Sequence, residues 1–246
     1  MNDSFNEKSE RTTRKGLHDM WGSDLYQGAA WSDLDNPLVH TTTATTPKDV
    51  ISWHDAKHNH AKNKSSLGSD YHINAFIHCY IDDIKFDGER EGIWNNHKRF
   101  FDIASHYDGI LGIDFSTNAD FPEPLKRYQF HRMRVMEHAS AMRGFAIIPN
   151  ARWGTEETWN YCFDALPEKE MLAIGVVGSQ LRSLENRPAF EAGIRELVRQ
   201  KHPSAIIVVG SAKYQIFSEL RSQGIKIYQY DGSTSTHFKR KEEDDV

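Results

Sequence analysis

The sequence predicts an α/β fold with a mostly parallel sheet of about six strands that alternate with helices. Short apolar runs rich in Val, Ile and Ala recur between residues 75 and 230, and segments of helical periodicity separate them. Parallel strands need such helical crossovers, because a short turn cannot return the chain to the start of the next strand. Asp, Asn or Gly closely follows each run. Six strands fit an open doubly wound sheet or an incomplete barrel better than a closed barrel of eight strands.

The bulk composition predicts a globular protein that does not enter a membrane. Its 246 residues can hold one sizeable domain with extensions, or at most two small domains. The net charge of −5 gives no overall attraction to nucleic acid or to an anionic membrane. No apolar stretch approaches the roughly 18–20 residues of a membrane span, and the N-terminus does not resemble a secretory signal. We therefore expect a cytoplasmic protein in which Cys79 and Cys162 are buried, reduced thiols.

Residues 1–70 differ from the rest and predict a polar, partly irregular extension. They are rich in Ser, Thr, Asn, Lys and His, and residues 1–15 have the composition of a disordered segment. A short helix is predicted over residues 47–54, with Thr46 as its N-cap and Pro47 at its first position. The extension also carries a small apolar set that could dock on the main domain or on a partner: Trp21, Leu25, Tyr26 and Trp31.

The histidine-rich stretch 54–66 is open to two interpretations. His54, Asp55 and His58 could share one helix face, which is a possible metal-binding arrangement. The neighbouring lysines oppose the binding of a cation, and the spacing supplies no further ligand. The alternative is a solvated basic stretch that contacts a phosphate or a protein partner.

The regular part of the chain spans residues 71–231, and a charged, disordered tail is predicted over residues 232–246. The predicted strands are 75–81, 109–113, 145–148, 171–177, 205–209 and 225–230. The predicted helices are 93–106, 124–143, a segment capped by Thr155, 187–200 and 213–222. Gly224 follows the last helix, where a C-cap is expected.

Acidic side chains follow two neighbouring strands of this pattern. Asp82 and Asp83 follow the first strand, and Asp114 follows the second. Because ligands of parallel α/β folds bind at the carboxyl ends of strands, we expect these carboxylates to meet at one edge. Together they could hold Mg²⁺ for phosphate chemistry, or Asp83 and Asp114 could divide the catalytic roles of acid and base. The alternative is a loop-capping pair with one member bonded to an arginine.

Further candidates for ligand binding follow the other strands or lie in the helix after Asp114. Arg132 falls on an otherwise apolar helix face, so it needs an anionic ligand or a carboxylate partner, for which Asp83 and Asp114 are the candidates. Two Gly-Ser turns, at 178–179 and 210–211, precede helices and could hold a phosphate through backbone N–H groups. Turn formation and helix capping are the structural alternatives. The candidate ligand-binding residues are Ser116, Arg132, Arg134, Asn150, Arg152, Trp153, Ser179 and Ser211.

A combination of short motifs resembles a family of phage and mobile-element proteins, the domain of unknown function 4417. The motifs are YIDD…W, GIDFS…P, YQFHRMR, GxxIIPNARWG, TxxxCFDALP and VVGS, and they cover about residues 73–230. The most specific pieces are residues 114–116, the Arg132 and Arg134 pair, Ile148-Pro149 with Trp153, and residues 162–164. The resemblance implies a phage or prophage setting and a bacterial cytoplasm. It implies no established reaction and no catalytic residues.

Three functions from different classes are compatible with the sequence. The first is an enzyme that acts on a phosphorylated or nucleotide-like small molecule, with Asp83 and Asp114 in acid–base or metal roles. The second is a non-catalytic phage accessory protein that binds a host protein or sequesters a nucleotide signal. The third is a nucleic-acid-binding replication protein, which the basic stretch supports and the net negative charge opposes. We rank them in this order.

Overall fold

The computed structural model describes residues 22–88, 92–176, 179, 181 and 186–232. The predictions for residues 1–15, Trp21, Gly178 and the tail after residue 232 lie outside the described residues. The described chain confirms the α/β class with parallel strands and intervening helices.

Seven strands of the described chain follow one another in sequence order, and every hydrogen-bonded pair of neighbours is parallel. Continuous hydrogen-bond ladders join β1 to β4 and, separately, β5 to β7. The two groups meet where the Ala173 amide donates to the Pro149 carbonyl and the Ala151 amide donates to the Ala173 carbonyl, both at 2.8 Å. The strands are β1 Val50–Ser52, β2 Ile73–His78, β3 Tyr107–Leu111, β4 Ile147–Ile148, β5 Met171–Gly175, β6 Ala205–Val209 and β7 Lys226–Tyr230.

The sheet is curled into an incomplete barrel. Alternate residues of β2 to β6 share one face and form a small separate core, which includes Phe76, Leu111 and Ile207. Val50 of β1 and Tyr228 of β7 pack against this same core, although these strands are the two ends of the sheet. The Tyr230 hydroxyl also donates to the carbonyl of Pro47, just before β1, at 2.6 Å. In the described part of the chain no strand ladder links β1 to β7, so the barrel is incomplete there and only side-chain contacts bridge the gap.

Six helices accompany the strands in the described ranges. A second and larger core unites apolar side chains of the sheet with those of the helices, such as Ile77 and Ile110 with Met133 and Phe217. Burial of this apolar area is the main source of the stability of such a layered fold. The helices are α1 Trp53–Leu67, α2 His97–Ala104, α3 Glu123–Met142, α4 Trp159–Cys162, α5 Arg187–Lys201 and α6 Gln215–Ser222.

Both cysteines lie in the interior of the fold. Cys79 and Cys162 are buried among the apolar side chains of the larger core, and neither forms a disulfide. Burial raises the pKa of the Cys162 thiol to about 12. The prediction of buried thiols is therefore confirmed for both residues.

The helix predicted over residues 47–54 is wrong, because Val50–Ser52 forms β1 and pairs with β2. The helix begins instead at Trp53, where the Ser52 hydroxyl accepts a hydrogen bond from the Asp55 amide at 3.1 Å and acts as the N-cap. A strand of three residues is too short for its alternation to be recognised. The segment predicted as an extension therefore supplies the first strand and helix of the sheet.

The residues before β1 lie across the other elements. Tyr26 stacks on His131 of α3, and its hydroxyl lies 3.1 Å from His131 Nε2. Further along, the Thr42 amide donates to the Ile147 carbonyl at 3.0 Å, near the start of β4. Docking of this segment on the main domain, one of the two predicted alternatives, is thus what the described part shows.

Candidate functional site

A cleft of about 790 Å³ opens at the carboxyl ends of β2, β3, β4 and β5. This is the edge at which ligands bind in parallel α/β folds. The structure brings seven of the residues singled out in the sequence together in its lining: Asp82, Asp83, Asp114, Ser116, Arg152, Trp153 and Ser179.

Asp83 and Ser116 form a hydrogen-bonded pair across two strand ends. The Ser116 hydroxyl donates to Asp83 Oδ1 at 2.8 Å, and the Ser116 amide donates to Oδ2 at 3.3 Å. Burial raises the pKa of Asp83, against the opposing effects of the Ser116 hydrogen bond and of Arg152. No cation lies at ion-pair distance from Asp83 among the described residues. Asp83 is therefore a carboxyl that can exchange a proton at higher pH than an exposed aspartate.

The second carboxylate of the cleft, Asp114, is held on both oxygens. Arg152 Nη1 lies 2.6 Å from Oδ2, and the Asn150 side-chain amide donates to Oδ1 at 2.9 Å. Arg152 is itself fixed by a 3.1 Å hydrogen bond from Nε to the Thr117 hydroxyl. Burial disfavours the Arg152 cation, but Asp114 outweighs that effect, and the pKa of the guanidinium is raised. The Arg152 side chain remains 26% exposed and lines the cleft.

Asn150 lies beneath Asp114 and connects it to the interior. Its side chain donates to the Ile113 carbonyl at 3.1 Å and accepts from the Tyr80 hydroxyl at 3.0 Å. Its backbone amide donates to Glu137 at 2.7 Å, and its carbonyl accepts from Arg134 at 2.6 Å. Asn150 is fully buried, so all of these bonds are made away from water. The side-chain and backbone polar groups of Asn150 are thus all paired, and these bonds fix the geometry of the groups that Asn150 contacts.

The deepest layer of the site is the buried ion pair of Arg134 and Glu137, on successive turns of α3. Arg134 Nη1 lies 3.2 Å from Glu137 Oε2. Burial raises the pKa of Glu137 to about 7, although Arg134 and the Asn150 amide act in the opposite direction. Gly112 lies directly over the pair, and a Cβ there would overlap Glu137 Oε1 and the Asn150 amide. The missing side chain at Gly112 is what lets the carboxylate reach Asn150.

An aromatic wall forms another side of the cleft. Trp153 packs beside Phe190 with ring centroids 5.2 Å apart, and its indole lies against the backbone of Gly193, where a Cβ would overlap it. Phe190 and Gly193 belong to α5, whose cap residue Asn186 also lines the cleft. The positive end of this 15-residue helix therefore begins at the cleft.

Besides Asn150, which lies beneath the cleft, three candidate residues are absent from its lining. The carboxylate partner predicted for Arg132 was Asp83 or Asp114, and this is wrong, since Arg132 pairs with Asp87 through Nη1 and Nη2, both at 2.7 Å. Its guanidinium also lies over the Phe115 ring at 3.8 Å. Arg134 is buried in the network described above, and Ser211 is not among the residues that line the cleft.

Neither of the predicted metal arrangements supplies three protein ligands among the described residues. Within the described ranges, no three His, Cys, Asp or Glu side chains lie close enough to bind one metal ion together. Asp82 turns to solvent, with 77% of its side chain exposed, and pairs with Lys85 at 3.2 Å. The His54 and His58 rings do share one face of α1, with centroids 4.1 Å apart, but no third ligand joins them among the described residues.

Tyr80, Glu137 and Thr117 take part in the site but were not predicted. Tyr80 lies in an apolar strand run, where an aromatic residue predicts core packing. Glu137 follows Arg134 at a spacing that predicts an ordinary exposed ion pair on a helix. A signal was present in the small Gly112, but a glycine after an apolar run more often marks a turn.

The chain belongs to the family described as Domain of unknown function (DUF4417), whose model matches residues 31–231. This confirms the resemblance and the phage family it implied.

Two phage proteins are similar to the chain over most of its length. It is 25% identical over 172 residues to the Gene 1 protein of Mycobacterium phage D29, and the match covers 70% of this chain and 59% of that protein. It is 25% identical over 174 residues to the Gene 1 protein of Mycobacterium phage L5, and that match covers 70% of this chain and 69% of the relative. The chain thus spans only 59% of the length of the D29 relative. No solved structure matches.

No helix of the described residues combines enough length with enough apolar character to cross a bilayer.

Proposed function

We propose that this protein is an enzyme of a phage or prophage that acts on a phosphorylated or nucleotide-like small molecule in the host cytoplasm. The observation that carries the proposal is the unequal environment of two carboxyl groups in one cleft. Asp114 is bound by Arg152 at 2.6 Å, whereas Asp83 has a raised pKa and a hydroxyl as its partner. Carboxyls whose environments differ in this way can divide the roles of acid, base and electrostatic stabiliser. Asp83 is the group that transfers the proton.

The walls of the cleft support the substrate class. The exposed part of Arg152 and the start of α5 provide positive potential for a phosphate. The Trp153 indole is partly exposed and offers a flat apolar surface for a nucleotide base. The phage relatives support the setting in a bacterial host.

The net charge of the cleft defines how a phosphate would enter. In the described part of the chain its lining contains three acidic side chains, Asp82, Asp83 and Asp114, and one basic side chain, Arg152. A bare phosphate would be repelled, so we propose that it enters with Mg²⁺. Mg²⁺ bound to substrate phosphates needs only one or two protein carboxylates, and the ligand we propose is Asp82, whose ion pair with Lys85 at 3.2 Å is solvent-exposed.

The test is a turnover screen with a matched pair of variants. The purified protein is incubated with nucleotides and sugar phosphates in the presence of Mg²⁺, and consumption is followed by liquid chromatography with mass spectrometry. Asp83→Asn should lower turnover by at least about 100-fold, the usual contribution of a general acid or base. Asp120→Asn, the same change at an exposed position outside the cleft, should have no effect.

Two results would overturn the proposal. If no member of the panel is consumed and a bound compound is recovered unchanged, the cleft is a passive binding pocket. Full turnover by the folded Asp83→Asn variant would remove Asp83 from the chemistry.

A further inference from the structure

The hydroxyl of Ser116 is oriented by the same carboxylate that we propose as the proton-transfer group. Ser116 Oγ donates its hydrogen to Asp83 Oδ1 at 2.8 Å, and the Ser116 amide binds Oδ2 at 3.3 Å. With the hydrogen directed at Asp83, the lone pairs of Oγ remain for another contact. Ser116 and Asp83 both line the cleft. A hydroxyl that is hydrogen-bonded to a base is the core of the arrangement that activates a nucleophile.

The other hydroxyl groups near the cleft are placed differently. Thr117 Oγ1 accepts a hydrogen bond from Arg152, so it serves to hold that cation. Ser179 lines the cleft without a carboxylate partner among the described residues. Ser116 is thus the described cleft hydroxyl that a carboxylate can deprotonate.

We propose that Ser116 is the nucleophile of this enzyme and that the reaction passes through a phosphoserine. The inference rests on the proposed function and adds the reaction class, which is the hydrolysis of a phosphoryl ester. It needs no reactant other than the phosphoryl ester and water.

The two half-reactions balance with Asp83 as the single proton carrier. In the first, the bond from Ser116 Oγ to phosphorus forms, the bond from phosphorus to the leaving oxygen breaks, and the serine proton passes through Asp83 to that oxygen. In the second, a water molecule attacks phosphorus and gives its proton to Asp83. The bond from phosphorus to Oγ then breaks, and Asp83 returns the proton to Ser116.

The neighbouring charges suit this chemistry. Arg152 lines the same cleft as Asp83 and Ser116, and its charge acts to lower the pKa of the Asp83 carboxyl. Charge that develops on the phosphoryl oxygens is stabilised by such a fixed cation. The hydrogen bonds of Arg152 to Asp114 and Thr117 hold the guanidinium in place before substrate binds.

The first experiment uses the wild-type protein and needs no knowledge of the leaving group. Inorganic phosphate labelled with a heavy oxygen isotope is incubated with the protein and Mg²⁺, and loss of label to water is followed by phosphorus NMR. Reversible formation of a phosphoserine predicts exchange. An acid quench followed by peptide mass spectrometry should then place one phosphoryl group on Ser116.

The second experiment separates this inference from the proposed function. With any substrate found in the turnover screen, Ser116→Ala should lower turnover by at least about 1,000-fold, as removal of a nucleophile does. Ser105→Ala, an exposed serine in a different loop, should leave it unchanged. Thermal melting confirms that each variant is folded.

Different results would overturn different statements. Turnover by wild type that persists within about 10-fold in Ser116→Ala refutes the nucleophile and leaves Asp83 as the base for a directly attacking water. A phosphoryl group trapped on another residue refutes it too. If the wild-type protein catalyses neither isotope exchange nor turnover, both the Ser116 nucleophile and the proposed enzyme are refuted.

Discussion

Replacement of Asn150 by Ala is the sharpest test of the buried network under the cleft. The change removes the side chain and leaves the backbone bonds to Glu137 and Arg134 in place. It deletes three hydrogen bonds, those with Tyr80, the Ile113 carbonyl and Asp114. All of these are made in the buried interior, so water does not replace the lost partner.

The expected loss follows from those three bonds. A buried hydrogen bond contributes about 1 kcal/mol net, so the variant should lose about 3 kcal/mol of unfolding free energy. For a domain of this size, about 1 kcal/mol corresponds to a shift of roughly 2–4 °C, which gives a lower Tm by about 6–12 °C. Asn74→Ala is the matched control, since that exposed amide contacts Asp108 only at 3.3 and 3.4 Å. Its loss should stay within about 0.5 kcal/mol.

Urea unfolding followed by tryptophan fluorescence gives both free energies, and calorimetry gives both Tm values. A loss below about 1 kcal/mol for Asn150→Ala, or one equal to that of Asn74→Ala, would show that the network does not hold the site together. Loss of turnover without loss of stability would show instead that Asn150 acts on the cleft alone.

Two further changes test neighbouring parts of the site. Burial raises the pKa of Glu137 from 4.5 to about 7, so the folded state binds a proton that the unfolded state releases, and this contribution to stability falls as the pH rises through that range. Glu137→Gln should flatten that part of the stability–pH curve measured by urea unfolding, and an unchanged slope would contradict the assignment. Gly175→Ala should cost about 1–3 kcal/mol, because the new Cβ would overlap the buried Tyr80 ring. Unfolding of the double variant with Tyr80→Leu should show strong non-additivity, and simple addition of the two losses would refute the clash.

The residues that line the cleft were predictable, because their position depends on periodicity alone. Once β2 to β5 are recognised as parallel strands, Asp83, Asp114 and Arg152 must follow their carboxyl ends and lie at one edge. No detailed packing is needed for that conclusion. The extent of the sheet was harder, since β1 has only the three residues Val50–Ser52 and follows a proline that also suits a helix start.

The buried side chains that support the cleft were not predictable, because their pairing depends on contacts that periodicity does not encode. Asp87 reaches Arg132 only because the chain turns through the short helix Asp83–Lys85 after β2. The pairing of Glu137 with the Asn150 amide needs the relative depth of α3 and β4, which packing decides. Sequence reasoning therefore identified which side chains face the cleft better than which side chains support them.

The segment from Gly112 to Ser116 links the residues that line the cleft to the buried side chains that support them. Gly112 leaves space for the Glu137 carboxylate, and the next carbonyl, that of Ile113, accepts from Asn150. The Asp114 carboxylate then accepts hydrogen bonds from Asn150 below it and from Arg152 in the cleft, and the Ser116 hydroxyl donates to Asp83. Through these contacts, the position of the buried ion pair helps to set the positions of the proposed reacting groups, Asp83 and Ser116. A side chain at Gly112 should for this reason displace Asn150 and the Asp114 carboxylate together, although Gly112 does not line the cleft itself.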